Sequence, residues 1–199
     1  MFENMTLWNI VIVIVCLVVS ITIHEYMHAW AGYKLGDSTA RDEGRLSFNP
    51  LDHVDPLLTI ALPAGMMLLG LPPVLAAKPV PFTPGRVRKG EFGAAMIAAA
   101  GPLSNLGLAF IGALARYIVP QSVVLDIFIL LNVSLFVFNM LPIPPLDGSR
   151  VLYAFSPRGL RRVLEQIEPY GFFIIIALVV MGLGGAIGVL NEIVLELLP

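Results

Sequence analysis

An apolar run from Ile10 to Ile23, interrupted only by Ser20 and Thr22, leads without a break into His24-Glu25-Tyr26-Met27-His28. With its flanks, Leu7 to about Ala31, the run is long enough to cross a bilayer core of about 30 Å as a helix. On a helix the two histidines, four residues apart, share a face about one turn apart. Both imidazoles can then bind one metal ion while Glu25 handles the proton of an attacking water. Ionisable groups at membrane depth are costly, so this trio reads as functional rather than as satisfied packing. The pattern points to metal-dependent hydrolysis inside a membrane. The residues ahead of the run include Glu3 and no Lys or Arg, so the segment is expected to be retained as a span rather than cleaved as a leader.

Hydrophobic residues make up 57% of the 199 positions and charged ones only 13%, with a mean hydropathy of +0.86. That is too little polar surface to coat a soluble globule, and the expectation is an integral membrane protein. A net charge of -2 gives no sign of a nucleic-acid partner. The single cysteine, Cys16, lies mid-span and reads as apolar filler. Further spans are expected over Phe92 to about Val119 and Val123 to about Leu141, a helical hairpin, and over Phe172 to about Leu190. The last contains Gly182, Gly184, Gly185 and Gly188, which suit close helix contact and a lipid-facing surface equally. Ser156 as N-cap and Pro157 at the first helical position open an amphipathic helix expected on the inner leaflet, with Leu160, Val163, Leu164 and Ile167 on one face.

The stretch Leu57 to Ala77 is uncharged and long enough to span, yet Pro63, Gly65, Gly70, Pro72 and Pro73 break it. Basic residues cluster at Lys34, Arg41 and Arg45, at Lys78, Arg86, Arg88 and Lys89, and at Arg150, Arg158, Arg161 and Arg162. All three clusters fall on the cytoplasmic side only if 57–77 is re-entrant. The fold expected is therefore an all-α membrane bundle of about four spanning helices plus this re-entrant segment and one interfacial helix. Its flanks, Arg41 to Phe48 and Lys78 to Val87, alternate in part and read either as short strands able to pair with an unwound substrate or as interfacial loop. The chain reads as a single domain over 1–199, its catalytic core about 7–150 and its C-terminal interfacial helix and last span 156–190.

Depth selects a third metal ligand. Counted from Trp8, His24 and His28 lie about 24 and 30 Å along a helix, toward its inner end. With 57–77 re-entrant, Asp147 lies at the same depth, just after the second arm of the hairpin. Pro142, Pro144 and Pro145 stop the helix and Gly148 permits a turn, so Asp147 can be aimed sideways into the bundle. Catalytic zinc takes three protein ligands and keeps a position open. Zinc is the default, although two histidines and a carboxylate tolerate other divalent ions.

The helical HExxH together with Asn139-Met140-Leu141-Pro142-Ile143-Pro144-Pro145-Leu146-Asp147-Gly148 resembles the site-2 protease family of intramembrane zinc metalloproteases, in its compact prokaryotic form. Gly101-Pro102-Leu103-Ser104-Asn105 is similar to a Gly-Pro-x-x-Asn in that family's middle core helix, and Arg45 to Pro56 resembles a stretch of its compact members. The resemblance implies one zinc held by His24, His28 and Asp147, Glu25 as general base, transmembrane proteins as substrates, and a multi-pass location in the cell membrane.

Asn139, near the inner end of its helix, reads either as a donor to the developing oxyanion or as an interhelical hydrogen bond. Asn105, beside the small residues Ala98 to Gly101, is given the packing role, as is Asn132. His53, among Asp52, Asp55 and two prolines, reads as a turn-stabilising group outside the metal set. Two rival classes are a catalytically silent, chaperone-like relative and an ion-coupled transporter. The first is expected to lack one of the four site residues; the second calls for charges spread over several helices.

Overall fold

A computed structural model of the chain describes residues 6–61, 65, 66, 68 and 77–199. Helix α1, Leu7–Lys34, starts at Thr6, whose side chain accepts from the Asn9 amide at 3.3 Å. It buries Ile12, Cys16, Ser20, His24, His28 and Gly32, a stripe spaced at every fourth residue. Val11, Ile14, Val15, Val18 and Val19 cover the exposed face. A single stripe thus runs from apolar filler to the two candidate metal-ligating histidines.

The chain continues through a short helix α2, Thr39–Asp42, to α3, Gly90–Arg116, and then α4, Val123–Asn139. Helix α3 packs between α1 and α4 through small residues: Gly93, Ala95, Ala98, Gly101, Ala109, Gly112 and Ala113 are buried. At Gly112 a Cβ would approach Ile129 Cγ1 to 2.9 Å, so the backbone of one arm of the hairpin lies directly against the Ile129 side chain of the other. Arg116 and Asp126 pair across the hairpin link at 3.1 Å. Helices α5, Asp147–Phe155, and α6, Arg158–Ile167, lead to α7, Gly171–Leu178, and α8, Gly184–Glu196. Ile187, Val194 and Leu195 of α8 pack on the core of Ala109, Ala113, Ile129, Val133 and Val137.

Leu7–Lys34, Gly90–Arg116 and the helical stretch Gly159–Glu196 are long and apolar enough to cross a membrane. The expected fourth span is the 17-residue α4, about 25 Å long, shorter than a full bilayer core. In the last stretch a Cβ at Gly182, Gly184, Gly185 or Gly188 would meet no atom within 4 Å, so these glycines form an open face rather than a close contact.

No strand occurs among the described residues, which corrects the reading of short strands flanking 57–77. In the second flank Pro79, Pro81 and Pro84 remove ladder donors, and only a turn at Pro84–Arg86 is regular. In the first, Thr39–Asp42 closes as a helical turn and Gly44 takes φ +75°. The amphipathic helix also begins differently: Ser156 Oγ donates back to the Leu152 carbonyl at 2.8 Å, leaving Pro157 as the capping position of α6.

Most of the expected re-entrant segment, 57–77, lies outside the described residues, apart from a π-helical turn at Pro56–Ala61 and isolated positions. Its two ends are described, and they meet. The Lys78 amide donates to the His53 carbonyl at 3.0 Å. The buried Arg45 guanidinium donates to the carbonyls of Asp52, Lys78 and Pro79, binding both ends together. A second set of bonds ties the loop before α3 to the end of α1. The Arg88 amide donates to the Leu35 carbonyl at 2.8 Å, and the Asp37 carboxylate accepts from the Thr83 amide at 2.6 Å and from the Thr39 hydroxyl at 2.6 Å. Burial pushes the Asp37 carboxyl up, but these hydrogen bonds outweigh it and hold it below the usual carboxylate range.

Candidate metal centre

Three side-chain atoms from two distant parts of the chain converge toward the C-terminal end of α1. His24 Nε2 and His28 Nε2 lie 2.9 Å apart, and each is 3.3 Å from Asp147 Oδ2. The imidazoles stand edge to face, with an interplanar angle of 81°. Asp147 is the first residue of α5 and is presented by a tight turn in which the Leu146 amide donates to Ile143 O at 2.9 Å and Ser149 Oγ donates to Leu146 O at 2.7 Å. Gly148 permits this because its Cα lies against the Met140 and Leu141 carbonyls, leaving no room for a side chain.

The far nitrogens of both rings determine what the near ones can do. His28 Nδ1–H donates to the Ile97 carbonyl at 2.7 Å, and His24 Nδ1–H donates to Asn105 Oδ1 at 2.6 Å. A carbonyl only accepts, so Nδ1 carries a proton in each ring, and in the neutral ring this leaves Nε2 free to offer its lone pair to a metal ion. Two neutral imidazole Nε2 atoms and a carboxylate oxygen, converging in a largely buried place, suit a cation held among them. An ion that holds ligands tetrahedrally at ~2.0–2.1 Å spaces them about 3.3 Å apart, close to what is seen. The three residues therefore fit a metal ion, and they are the one such group of His, Cys, Asp and Glu among the described residues.

Gly101 of α3 completes the pocket from the other side. A Cβ there would overlap His28 Nε2 and come within 2.7 Å of His24 Nε2, so a bare backbone is required opposite the imidazoles. Gly101→Ala is expected to lower bound metal severely in the purified protein. Gly107→Ala, on the same helix with nothing within 4 Å of its Cβ, should leave metal content unchanged.

The other expected residues fall as follows. Glu25 is buried on α1, between the two histidines. Asn139 donates one amide hydrogen to the Leu135 carbonyl on its own helix at 2.9 Å, leaving one donor for any other role. His53 Nε2 donates to Ser47 O at 2.8 Å, a turn-stabilising bond, and lies outside the converging trio. Asn105, given the packing role, does bond between helices, and one of those bonds reaches the site: its side chain is the direct acceptor for His24. A metal-binding histidine needs an acceptor for its second nitrogen, and a buried asparagine on a neighbouring helix was the available signal.

Fold and site together define a helical chain with membrane-length segments and a three-donor metal centre, the open coordination typical of catalytic rather than structural sites. A sequence profile described as peptidase family M50 matches residues 120–182. The chain is 39% identical over 185 residues to "Putative zinc metalloprotease YwhC" of Bacillus subtilis, covering 86% of this chain and 81% of that protein. It is 28% identical over 179 residues to "Putative zinc metalloprotease Rip2" of Mycolicibacterium smegmatis, covering 85% of this chain and 67% of that protein. No solved structure matches it at a significant level. The chain belongs to peptidase family M50, the site-2 protease family.

Proposed function

We propose that this chain is an intramembrane zinc metalloprotease that hydrolyses peptide bonds in or near transmembrane segments of other membrane proteins. The observation that carries the reading is the convergence of two Nε2 lone pairs and one carboxylate oxygen, beside a buried glutamate, on an apolar helix of membrane length. His24, His28 and Asp147 are assigned as the zinc ligands. When bound, zinc supplies a Lewis acid that polarises a peptide carbonyl and acidifies water. Glu25 takes a proton from the attacking water and returns it to the leaving amine nitrogen. The remaining amide hydrogen of Asn139 is the candidate donor to the oxyanion. On this reading residues 156–190 belong to the same unit as 7–150, since Arg150 pairs with Glu168 and Gly171 packs directly on the Pro144 carbonyl beside the Asp147 turn.

The topology proposed is multi-pass in the cell membrane, with α4 as a fourth, short span and 57–77 re-entrant. Two observations support it: the ends of the re-entrant segment are bonded to each other, and the start of α3 is bonded to the end of α1. A chain that leaves α1 and returns to the same end makes no net crossing, so all basic clusters can share the inner side. A cysteine replacing Arg86 in a Cys16→Ala background is expected to resist an impermeant thiol reagent added to intact cells and to react in inverted vesicles. Reaction from outside would overturn the topology.

The function is tested on the purified protein by metal analysis together with cleavage of a transmembrane substrate. One zinc per chain and chelator-sensitive cleavage are expected. Bound zinc without cleavage of any transmembrane substrate would favour a silent relative, and neither zinc nor cleavage would remove the reading altogether.

A further inference from the structure

Behind His24 lies a chain of fully buried polar side chains from three helices, Ser20 on α1, Asn105 on α3 and Asn132 on α4, each 0% exposed. Asn132 Nδ2 donates to the Phe128 carbonyl at 2.9 Å and to Ser20 Oγ at 2.9 Å. Asn105 Nδ2 donates to Asn132 Oδ1 at 3.0 Å and to the Ser20 carbonyl at 3.4 Å. Asn105 Oδ1 then accepts from His24 Nδ1–H at 2.6 Å. The direction of every bond follows from acceptors that cannot donate. The Phe128 carbonyl obliges Asn132 to turn its NH2 that way, which turns its oxygen to Asn105. With Asn132 Oδ1 and the Ser20 carbonyl both demanding hydrogens, Asn105 must turn its NH2 to them and its oxygen to His24. A flipped Asn105 would set NH2 against N–H on one side and oxygen against two oxygens on the other.

We propose that Asn132, aided by Ser20, is a positioning residue for the metal centre: through Asn105 it holds His24 in the Nδ1–H tautomer, so that Nε2 is free to ligate. The inference rests on the assignment of His24 as a ligand. Simple interhelical bonding would explain why polar residues pair here. It would not require each amide to point one way, nor the chain to end on the ring nitrogen remote from the metal position.

The test uses full-length protein in detergent or lipid, with 15N-labelled histidine. Only three histidines are present, which makes assignment tractable. In metal-free wild type the His24 nitrogens should report the Nδ1–H tautomer. Asn132→Leu removes the acceptor at similar volume; His24 should become a tautomer mixture, and affinity for Zn2+ alone, read by chelator competition, should fall about 10–100-fold. Asn132→Asp, held neutral by its fully buried apolar surroundings, keeps an acceptor toward Asn105 and a hydroxyl donor toward the Phe128 carbonyl, and should restore both the tautomer and most of the affinity. Ser20→Ala, a milder change in case Asn132→Leu fails to fold, should move both readouts the same way by a smaller amount. A wild-type tautomer and affinity in Asn132→Leu or, failing its folding, in Ser20→Ala would overturn the proposal. So would equal loss of affinity in the Leu and Asp variants with the tautomer unchanged, which marks packing alone. The tautomer is read without metal, so failure of wild type to bind zinc would count against the ligand assignment separately.

Discussion

Glu25→Gln should abolish measurable cleavage while leaving zinc at one per chain. Gln preserves the length and shape of the side chain in a place only 8% exposed, so packing on α1 is retained. Glu25 contributes none of the three atoms that converge, so their spacing should not change. What is lost is a group that can accept a proton from water and release it to the leaving nitrogen. General acid–base catalysis of this kind is worth about 10²–10⁴-fold, which sets the expected fall in rate. The measurement is paired: metal content by elemental analysis, and cleavage of a transmembrane substrate followed over time. Loss of both would make Glu25 a structural support of the site, and retention of cleavage with metal bound would move proton handling to another residue.

How much of this was legible before the structure depends on the range of the interaction. The shared face of His24 and His28 is a local periodicity, and both do lie on the buried face of α1, whereas the run before them is apolar all round and does not reveal which side is buried. Asp147 is 119 residues from His28, yet prolines that stop a helix and the common depth of the two segments were enough to bring it to the site. The acceptor for His24 was not found in the same way. Small residues beside Asn105 predict close helix approach, and that is true of Gly101, but the rotation of α3 that aims Asn105 at a ring nitrogen is a product of packing on both α1 and α4. Strand-like alternation near 41–48 and 78–87 gave way to turns because prolines and a left-handed Gly44 outweigh a weak two-residue period. The clamp formed by Arg45 was equally hidden, since its partners are backbone carbonyls, which carry no side-chain signature.

Asp147→Ala should yield protein with little bound zinc and no cleavage. Two imidazole nitrogens 2.9 Å apart remain, but the ion loses its one anionic ligand and the third point that fixes its position. Among the described residues no other His, Cys, Asp or Glu joins His24 and His28, so a nearby substitute is not at hand. Asp147 also opens α5, where a negative charge at a helix N-terminus is worth about 0.3–1 kcal/mol, so some local loosening accompanies the change. Asp147→Asn separates the two effects. It keeps an oxygen donor and the size of the side chain while removing the charge, and should bind zinc more weakly than wild type but more tightly than the alanine variant. Helix content measured alongside metal affinity shows whether α5 survives in each. Full zinc occupancy in Asp147→Ala, with the helices intact, would mean that the third ligand comes from elsewhere in the chain and that the turn at Pro142–Gly148 serves another purpose.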